Sequence, residues 1–461
     1  MHIISEVYNF LWGDLIHLPL PGGRTLSISL LVALLIPAGI YFTIRSRFLP
    51  VRCFPEMIRI SLEKRGTQKK GALSGMQALI VSTATRVGMG NMVGVVAALS
   101  AGGPGAVFWM WITALIGSST AFVEATLAQQ HKQADPLYGG YRGGPAYYIH
   151  DFFTRGKARR YSVIAVLFAL SGLLCWCGVS QVLSNSVSSA FQKTFGLPPI
   201  VSTVVLVALA AVIVLRKNAT VKVLDVIVPI MAGFYFLLAL VIIFLNVHML
   251  PGVLQRIFQE AFGLRQAAAG AFGAALMNGV KRGLFSNEAG SGSAPCAAAA
   301  ADVSHPAKAG LFQAFGVFID TIVICTCTAM IMLLAPAEKI AGLEGMALLQ
   351  TAMNHHFGWP GEIFTAVTLW LFSFSTFIGI LYYARSNVAY LFGDSWTSQT
   401  IYKLLALVML FIGGLATYTF VWDLGDIGVG LMTIFNMIAI LPMGGRALKA
   451  LEDYMTQRKT R

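Results

Sequence analysis

The sequence carries little charge for its length. Only 11% of its 461 residues are Asp, Glu, Lys or Arg, whereas 56% are hydrophobic and the mean hydropathy is +0.71. Soluble domains contain about 25% charged residues, so the composition excludes a soluble protein of this size. Several apolar stretches exceed about 18 residues, the length at which a helix spans a bilayer. They show no period-2 alternation of the kind that strands require. The sequence predicts an all-α integral membrane protein.

Motifs for catalysis and for metal binding are also lacking. The chain contains no His-Glu-x-x-His, no Gly-x-Ser-x-Gly and no cluster of His and Asp at metal-ligand spacing. An intramembrane enzyme is therefore the disfavoured alternative, and we expect neither enzyme activity nor a cofactor. The six cysteines form no Cys-x-x-Cys pair and lie mostly in apolar segments, which indicates packing residues. His355 and His356 are interpreted as a solvated pair in an outer loop.

The net charge of +13 is concentrated in short connections. Basic clusters occur in segments 45–70, 155–160 and 446–461, without the interleaved aromatic residues of a nucleic-acid surface. By the positive-inside rule these segments and the C-terminus are cytoplasmic and the N-terminus lies outside. Arg256 and Arg265 are exceptions to this assignment. The N-terminus lacks a basic region and a cleavage site, so we expect no removable signal peptide. A multi-pass protein of the cell (inner) membrane is expected.

About eleven segments are long and apolar enough for membrane helices. In chain order they cover residues 25–44, 75–100, 105–130, 161–191, 200–215, 224–247, 266–301, 310–334, 361–391, 399–416 and 418–441. The connections are short, which leaves no room for a soluble domain. The first helix and its basic loop occupy 1–70. Two five-helix sets follow at 71–250 and 251–445, and a basic tail at 446–461.

Glycine-rich polar stretches interrupt the first helix of each set, at residues 85–94 and 285–293. Glycine costs about 1 kcal/mol relative to alanine inside a helix. Irregular backbone is tolerated in a membrane only where it lines a cavity or is buried in protein. Because each set has five helices, the second set runs opposite to the first. Paired broken helices in such an inverted repeat form a midplane substrate site. The alternative for one run, Gly90 to Gly94, is simple helix packing.

Charged residues within predicted spans should face the protein interior and be paired. They are Arg86, Glu124, Lys281, Arg282, Glu288 and Asp320. Arg86 and Glu288 adjoin the breaks, where they could order the backbone or sense an ion. For Glu124 we expect a packing salt bridge with Lys281 or Arg282.

Hydroxyl and amide groups mark two further spans. Ser373, Ser375 and Thr376 form a hydroxyl cluster that suits Na⁺ when it lies opposite a broken helix; otherwise such residues often bond back to their own helix. Gln181 belongs to a polar face of the fourth span, which either lines the same cavity or makes interhelical hydrogen bonds.

Five stretches of the sequence carry motifs of a known family. Residues 88–94 (Gly-Met-Gly-Asn-Met-Val-Gly), 102–111, 143–147, 281–295 and 318–326 resemble the alanine or glycine:cation symporter family over nearly the whole chain. The resemblance implies a leucine-transporter-type five-plus-five inverted repeat with one extra N-terminal helix. It also implies sodium-coupled import of alanine, glycine or a related small neutral amino acid by alternating access. The expected partners are the amino acid, sodium and the lipid bilayer, with no obligate protein partner.

The resemblance also suggests residue roles. Polar groups of the amino acid are expected at Gly88, Gly90 and Asn91, with Phe285 walling the side-chain pocket. The predicted substrate contacts are Arg86, Gly88, Gly90, Asn91, Gln181, Phe285, Asn287, Thr376 and Ile380. The predicted sodium ligands are Ser375, Thr376 and the carbonyls of Ala84 and Val87.

Several positions depart from the family pattern. Met89 replaces a small hydroxyl residue, Arg86 a threonine of some members, Leu183 a glutamine and Ile380 a tryptophan of some members. A smaller group at Ile380 could admit a larger amino acid, so glutamine and serine remain alternatives to alanine and glycine. Proton coupling through Glu288 or Glu124 and a channel mechanism are the remaining alternatives.

Overall fold

The computed structural model describes residues 2–20, 24–62, 73–74, 86–154, 161–216, 221–263 and 270–459. Nearly all of its elements are helices. The α-helices are α1 His2–Trp12, α2 Leu30–Arg45, α3 Leu49–Arg52, α4 Phe54–Ser61, α5 Val95–Gly102, α6 Gly105–Gln130, α7 Pro145–Thr154, α8 Val163–Phe195, α9 Pro199–Val214, α10 Val221–Leu245, α11 Leu250–Ala261, α12 Gly270–Asn287, α13 Pro295–Ala300, α14 Pro306–Val317, α15 Thr326–Leu333, α16 Ala337–Ile340, α17 Met346–Phe357, α18 Trp359–Phe392, α19 Trp396–Leu415 and α20 Tyr418–Lys459.

Within these ranges the structure also contains two π-helical stretches and six short strands. The first π segment is Arg86–Gly94, which runs into α5, and the second is Phe318–Cys325, between α14 and α15. A 3₁₀ turn, Val247–Met249, joins α10 to α11. The strands pair as β1 Ile16–Leu20 antiparallel to β2 Arg24–Ile28, β3 Leu73–Ser74 parallel to β6 Ala301–Asp302, and β4 Gln133–Ala134 antiparallel to β5 Tyr141–Arg142.

The described helices identify a multi-pass membrane protein. Within the described ranges, six helices are long and apolar enough to cross a bilayer: α6, α8, the continuous run Pro306–Leu333, α18, α19 and α20. A seventh candidate combines α10 and α11, which meet at a bend of 74°. Shorter apolar helices include α2 and α9. Parts of the predicted segments 75–100 and 266–301 fall outside the described residues, and the total of about eleven spans stays a prediction.

Several predicted boundaries are wrong. The first span does not begin at residue 25, because Arg24–Ile28 pairs as a strand and α2 starts at Leu30. Ser29 caps this helix, since its hydroxyl accepts the Val32 N–H at 3.2 Å. The predicted connections contain helices α7, α11 and α17. Helix α11 is amphipathic and buries Val253 and Ile257 on one face.

His355 and His356 also differ from the sequence interpretation. Both lie in the last turn of α17 instead of a loop. The imidazole of His356 is 2.9 Å from the carbonyl oxygen of Ile331, and burial lowers its pKa. His356 is therefore a packed, neutral histidine and not a member of a solvated pair.

Helix α8 packs against α18, α19 and α20 through unusually close backbone contacts. A methyl group added at Gly178 would lie 2.5 Å from the Gly425 nitrogen, and one at Gly428 would lie 2.3 Å from the Cys175 Cα. Glycine at such crossings allows van der Waals contact between backbones, which drives helix association in lipid. This packing brings the middle of α8 next to α20 and beside the two irregular helices.

Candidate functional site

The first predicted break is a π-helical stretch in its described part, not an unwound one. The Gly88 N–H donates to Asn91 Oδ1 at 2.9 Å, and the Met89 N–H donates to Thr376 Oγ1 at 3.3 Å. A π-helix is wider than an α-helix and is common at functional sites. Here it turns backbone amides toward side chains on the same segment and on α18.

Glycine at position 88 is required by this close approach. A Cβ at Gly88 would lie 2.2 Å from the Thr376 hydroxyl oxygen. No non-bonded carbon and oxygen can be that close, so any side chain at Gly88 would displace the Thr376 hydroxyl from the Met89 N–H.

The second predicted break is confirmed as irregular backbone between α12 and α13. Glu288, Gly290 and Gly292 have φ values of 58°, 98° and 82°, in the left-handed region that favours glycine. The Gly290 N–H donates to Glu124 Oε2 at 3.1 Å, and its carbonyl accepts from Asn436 Nδ2 at 3.0 Å. Polar side chains from α6 and α20 thereby replace the helical hydrogen bonds that the break removes.

The expected salt bridge between Glu124 and Lys281 or Arg282 is wrong. Both cations pair with Asp426 of α20: Lys281 Nζ lies 2.6 Å from one carboxylate oxygen, and the Arg282 guanidinium donates to both oxygens at 3.0 and 3.1 Å. Glu124 instead accepts from Gly290 and Asn436. Lys281 and Arg282 lie before the break on α12, whereas Glu124 packs beside the break itself. Both cations therefore contact α20 and not α6.

A buried polar cluster joins three irregular elements. Asp320, in the second π segment, is fully buried and accepts hydrogen bonds from Asn91 at 2.7 Å, Ser286 at 2.9 Å and Thr321 at 2.7 Å. In the sequence Asp320 is recognisable only as an intramembrane charge, without an assigned role. Its signal was a carboxylate followed by a hydroxyl inside an apolar span, which by itself does not indicate its partners.

Four predicted substrate residues meet at one cavity of about 30 Å³: Gly90, Phe285, Thr376 and Ile380. Residues that the sequence analysis did not place in the substrate set also line it, namely Met89, Cys175, Trp176, Val179, Leu284, Glu288, Ser291, Ser293 and Val429. Such a volume holds no more than a few water molecules. The protein is therefore in a closed conformation around this point.

Other predicted site residues lie elsewhere. The amide of Gln181 contacts the Met409 sulfur on α19 at 3.2 Å and is not among the residues that line the cavity, which agrees with the interhelical alternative; its role as a substrate contact stays a prediction. Its position on α8 turns it toward α19, whereas Cys175 and Val179 face the cavity. Asn287 accepts the Ala289 N–H at 3.0 Å and so shapes the second break.

The predicted sodium ligands are only partly described. Ser375 Oγ donates to the Phe372 carbonyl at 2.9 Å within its own helix, while Thr376 faces the first π segment. Ala84 and the side chains of Arg86 and Val87 lie outside the described part of the chain.

Ion pairs and aromatic rings lie on two sides of the cavity. On one side the Phe285 ring packs 4.8 Å from the Trp422 ring, over which the Arg282 guanidinium lies at 3.8 Å. On the other side Arg385 of α18 pairs with Asp135 at 2.8 Å and lies over the Tyr138 ring. Burial raises the pKa of Tyr138, which stays protonated. The two clusters tie α12 to α20 and α18 to the connection after α6.

Comparison with known proteins identifies the family. The sequence model of the sodium:alanine symporter family matches residues 22–461. The chain belongs to the sodium:alanine symporter family. A probable sodium/glutamine symporter of Bacillus subtilis is 45% identical over 99% of this chain and 91% of its own length. A sodium/alanine symporter of Methanococcus maripaludis is 32% identical over 99% of this chain and 98% of its own length.

Solved structures agree with the fold expected of this family member. MhsT in complex with L-phenylalanine has a TM-score of 0.55 and 13% identity, over 81% of this chain and 89% of its own. The Eremococcus coleocola manganese transporter has a TM-score of 0.52 and 12% identity, over 84% and 81%. At this identity the likeness shows the fold alone, which is that of leucine-transporter-type transporters. The resemblance seen in the sequence is confirmed, and the protein is a transporter and not an enzyme.

Proposed function

We propose that this family member is a sodium-coupled symporter that imports alanine, glycine or a related small neutral amino acid by alternating access. The observation that carries the proposal is the meeting of the first π segment and the second break at one buried cavity, with Thr376 opposite. Backbone amides in such segments can receive a carboxylate, and freed carbonyls can bind a cation. Hydroxyls and apolar rings supply the remaining surface.

The proposed substrate position lies between the two irregular helices. Its polar end is directed to the backbone around Gly88 and Gly90, and its side chain to Phe285 and Ile380, which line the cavity. Because the cavity is small, Thr376 and Phe285 must move when the amino acid enters. Asn91 acts on this site indirectly, since its side-chain oxygen holds the Gly88 amide.

The proposed sodium site comprises the Ser375 and Thr376 hydroxyls and the carbonyls of Ala84 and Val87. It is supported by the position of Thr376 directly against the first π segment. A second oxygen-rich locus surrounds Asp320, where a carboxylate and two hydroxyls lie within hydrogen-bond distance. Buried intramembrane carboxylates are costly and mark ion pathways, so Asp320 belongs to the ion-coupling machinery in this proposal.

Glutamine is a second candidate substrate. The Bacillus subtilis relative that is 45% identical is named a probable sodium/glutamine symporter. Ile380 lines the cavity where some family members carry tryptophan, and the smaller side chain leaves more room once the cavity opens. A larger neutral amino acid fits this difference.

The proposed topology follows from charge and from the breaks. Segments 71–250 and 251–445 form the inverted repeats, after an N-terminal segment 1–70 and before the tail 446–461. The N-terminus lies outside and the basic C-terminus is cytoplasmic, in the cell (inner) membrane. The Arg282–Asp426 cluster then closes the outer side, and the Arg385–Asp135 cluster closes the inner side.

A thermal unfolding series tests the proposal without requiring transport. The purified protein is heated with alanine, glycine, serine or glutamine, each in NaCl and in KCl. A ligand that binds the folded state at about 100 times its Kd stabilises it by about 2.7 kcal/mol. We expect the unfolding midpoint to rise with at least one amino acid in NaCl only. Equal midpoints in both salts for all four would contradict sodium-coupled binding.

A further inference from the structure

The N-terminal helix α1 is docked into the membrane part of the protein. Leu11 and Trp12 at its end are buried, with 0% and 4% of their surfaces exposed. They pack on α20 at Gly430, where an added Cβ would lie 3.1 Å from Leu11 and 3.4 Å from Trp12. The indole N–H of Trp12 donates to the Asp426 carbonyl at 3.0 Å. Helix α1 is thus held by both apolar and polar contacts.

Helix α1 also contacts Lys281, a buried cation of α12. Lys281 is 6% exposed and donates to the Tyr8 hydroxyl, besides its pairing with the Asp426 carboxylate at 2.6 Å. Its ammonium lies 4.5 Å from the centre of the Tyr8 ring and 5.4 Å from that of Trp12. The Asp426 carboxylate is shared with Arg282, so two cations pair directly with one carboxylate, and Asp423 is a further anion near both. The Tyr8 hydroxyl and the ring faces of Tyr8 and Trp12 stabilise the Lys281 ammonium, which shares its carboxylate with Arg282.

The cluster around Lys281 is connected to the cavity through α12. Phe285, one turn after Lys281 on α12, walls the cavity and packs on Trp422 of α20. Separation of α12 from α20 on this side therefore opens the cavity, and it pulls Lys281 away from α1.

We propose that α1 is a latch, with Tyr8 and Trp12 as positioning residues that hold α12 against α20 in the closed conformation. This inference rests on the proposed alternating access. Each opening of the cavity toward the side of α1 breaks the contacts of Lys281 with Tyr8 and with Asp426 beside Trp12. Loss of the Lys281–Tyr8 hydrogen bond therefore favours the open conformation by about five-fold, the factor typical of one net hydrogen bond. The Trp12–Asp426 hydrogen bond joins α1 to α20 and is kept on opening.

Cys175 provides a native reporter, since it lines the cavity and is 3% exposed. A parent variant keeps Cys175 and carries alanine at the other cysteines. Cells that express it are treated from outside with a membrane-impermeant thiol reagent, and the modification rate of Cys175 is measured. Tyr8→Phe and Trp12→Phe retain an aromatic ring and delete one hydrogen bond each. Phe10→Ala is the matched control, because Phe10 is 54% exposed on the same helix.

The latch predicts a rate about five-fold higher in Tyr8→Phe than in the parent, in Phe10→Ala and in Trp12→Phe, whose deleted hydrogen bond joins α1 to α20 and is kept on opening. Tyr8→Phe and Trp12→Phe each lose one hydrogen bond, so their unfolding midpoints should be similar. In the protein with its native cysteines, backbone amides of α12 should exchange with deuterium faster in Tyr8→Phe only. Unchanged rates, or no modification in any variant, together with unchanged exchange would overturn the latch. Absence of sodium-dependent amino-acid uptake by the protein with its native cysteines would count against the proposed function instead.

Discussion

Thr376 of α18 accepts the backbone N–H of Met89 at 3.3 Å across the interface between two helices that are 287 residues apart in sequence. The same hydroxyl oxygen lies 2.2 Å from the position that a Cβ of residue 88 would occupy. The contact therefore depends on glycine at position 88 and on a hydroxyl at position 376. It is the direct link between the first π segment and the helix that carries the proposed sodium hydroxyls.

Substitution of Gly88 tests this link. In Gly88→Ala the new methyl group must displace Thr376, so we expect at least a ten-fold loss of uptake at equal expression. Gly233→Ala is the control, since no atom lies within 4 Å of the added Cβ; it should retain uptake. Adding Thr376→Ala to Gly88→Ala should recover thermal stability without recovering uptake, because the hydroxyl is then missing. Full uptake by Gly88→Ala would contradict the described contact.

The position of both irregular segments could be predicted from the sequence, but their geometry could not. Clustered glycines and polar residues inside an apolar run indicate where a helix is weak. Whether the result is a π-helix, as at Arg86–Gly94, or a set of left-handed residues, as at Gly290, depends on side chains from distant helices. Asn91 and Thr376 hold the first, and Glu124 and Asn436 hold the second.

The size of residue 380 is predicted to set substrate size. In Ile380→Trp the larger ring fills the cavity wall, so uptake of a large neutral amino acid such as glutamine should fall more than uptake of alanine. Competition by unlabelled amino acids against radiolabelled alanine measures the ratio. Ile378→Trp, on the same helix but outside the cavity lining, is the control. An unchanged ratio of glutamine uptake to alanine uptake in Ile380→Trp would show that Ile380 does not determine substrate selectivity.

The cluster around Asp426 predicts that loss of its carboxylate destabilises the protein more than loss of one of its two cations. Asp426→Asn removes the carboxylate that pairs directly with the buried Lys281 and Arg282, and breaking a buried pair costs about 3–5 kcal/mol. Lys281→Met removes one of the two cations and leaves the Arg282–Asp426 pair in place, which should cost less. Thermal unfolding of the two variants in detergent measures the difference. A larger loss for Lys281→Met than for Asp426→Asn would contradict the assigned pairing.

Asp320 is predicted to act in ion coupling. In Asp320→Asn the negative charge is lost, while the volume and one acceptor oxygen remain. We expect the sodium concentration for half-maximal uptake to rise at least ten-fold. Glu260→Gln, which removes a partly exposed partner of Arg256 on α11, should leave sodium dependence unchanged, because such ion pairs contribute little. An unaltered sodium dependence in Asp320→Asn would remove Asp320 from the coupling machinery.

The partners of the intramembrane charges could not be predicted from the sequence. That Lys281, Arg282 and Glu124 needed partners followed from the cost of burial, but their partners depend on how α12 is rotated relative to α6 and α20. Nothing in the sequence marks Asp426 as their shared partner, and nothing in residues 2–12 indicates that α1 docks on α20. Gln181 shows the same limit, since a polar residue on α8 can face either the cavity or α19.

Uptake of radiolabelled alanine and glutamine by proteoliposomes, with an inward gradient of Na⁺ or of K⁺, tests the central claim most directly. Sodium-coupled symport predicts transient accumulation above the external concentration with Na⁺, and equilibration at most with K⁺. Accumulation that is equal in the two salts, or no accumulation of any neutral amino acid, would contradict the proposed function.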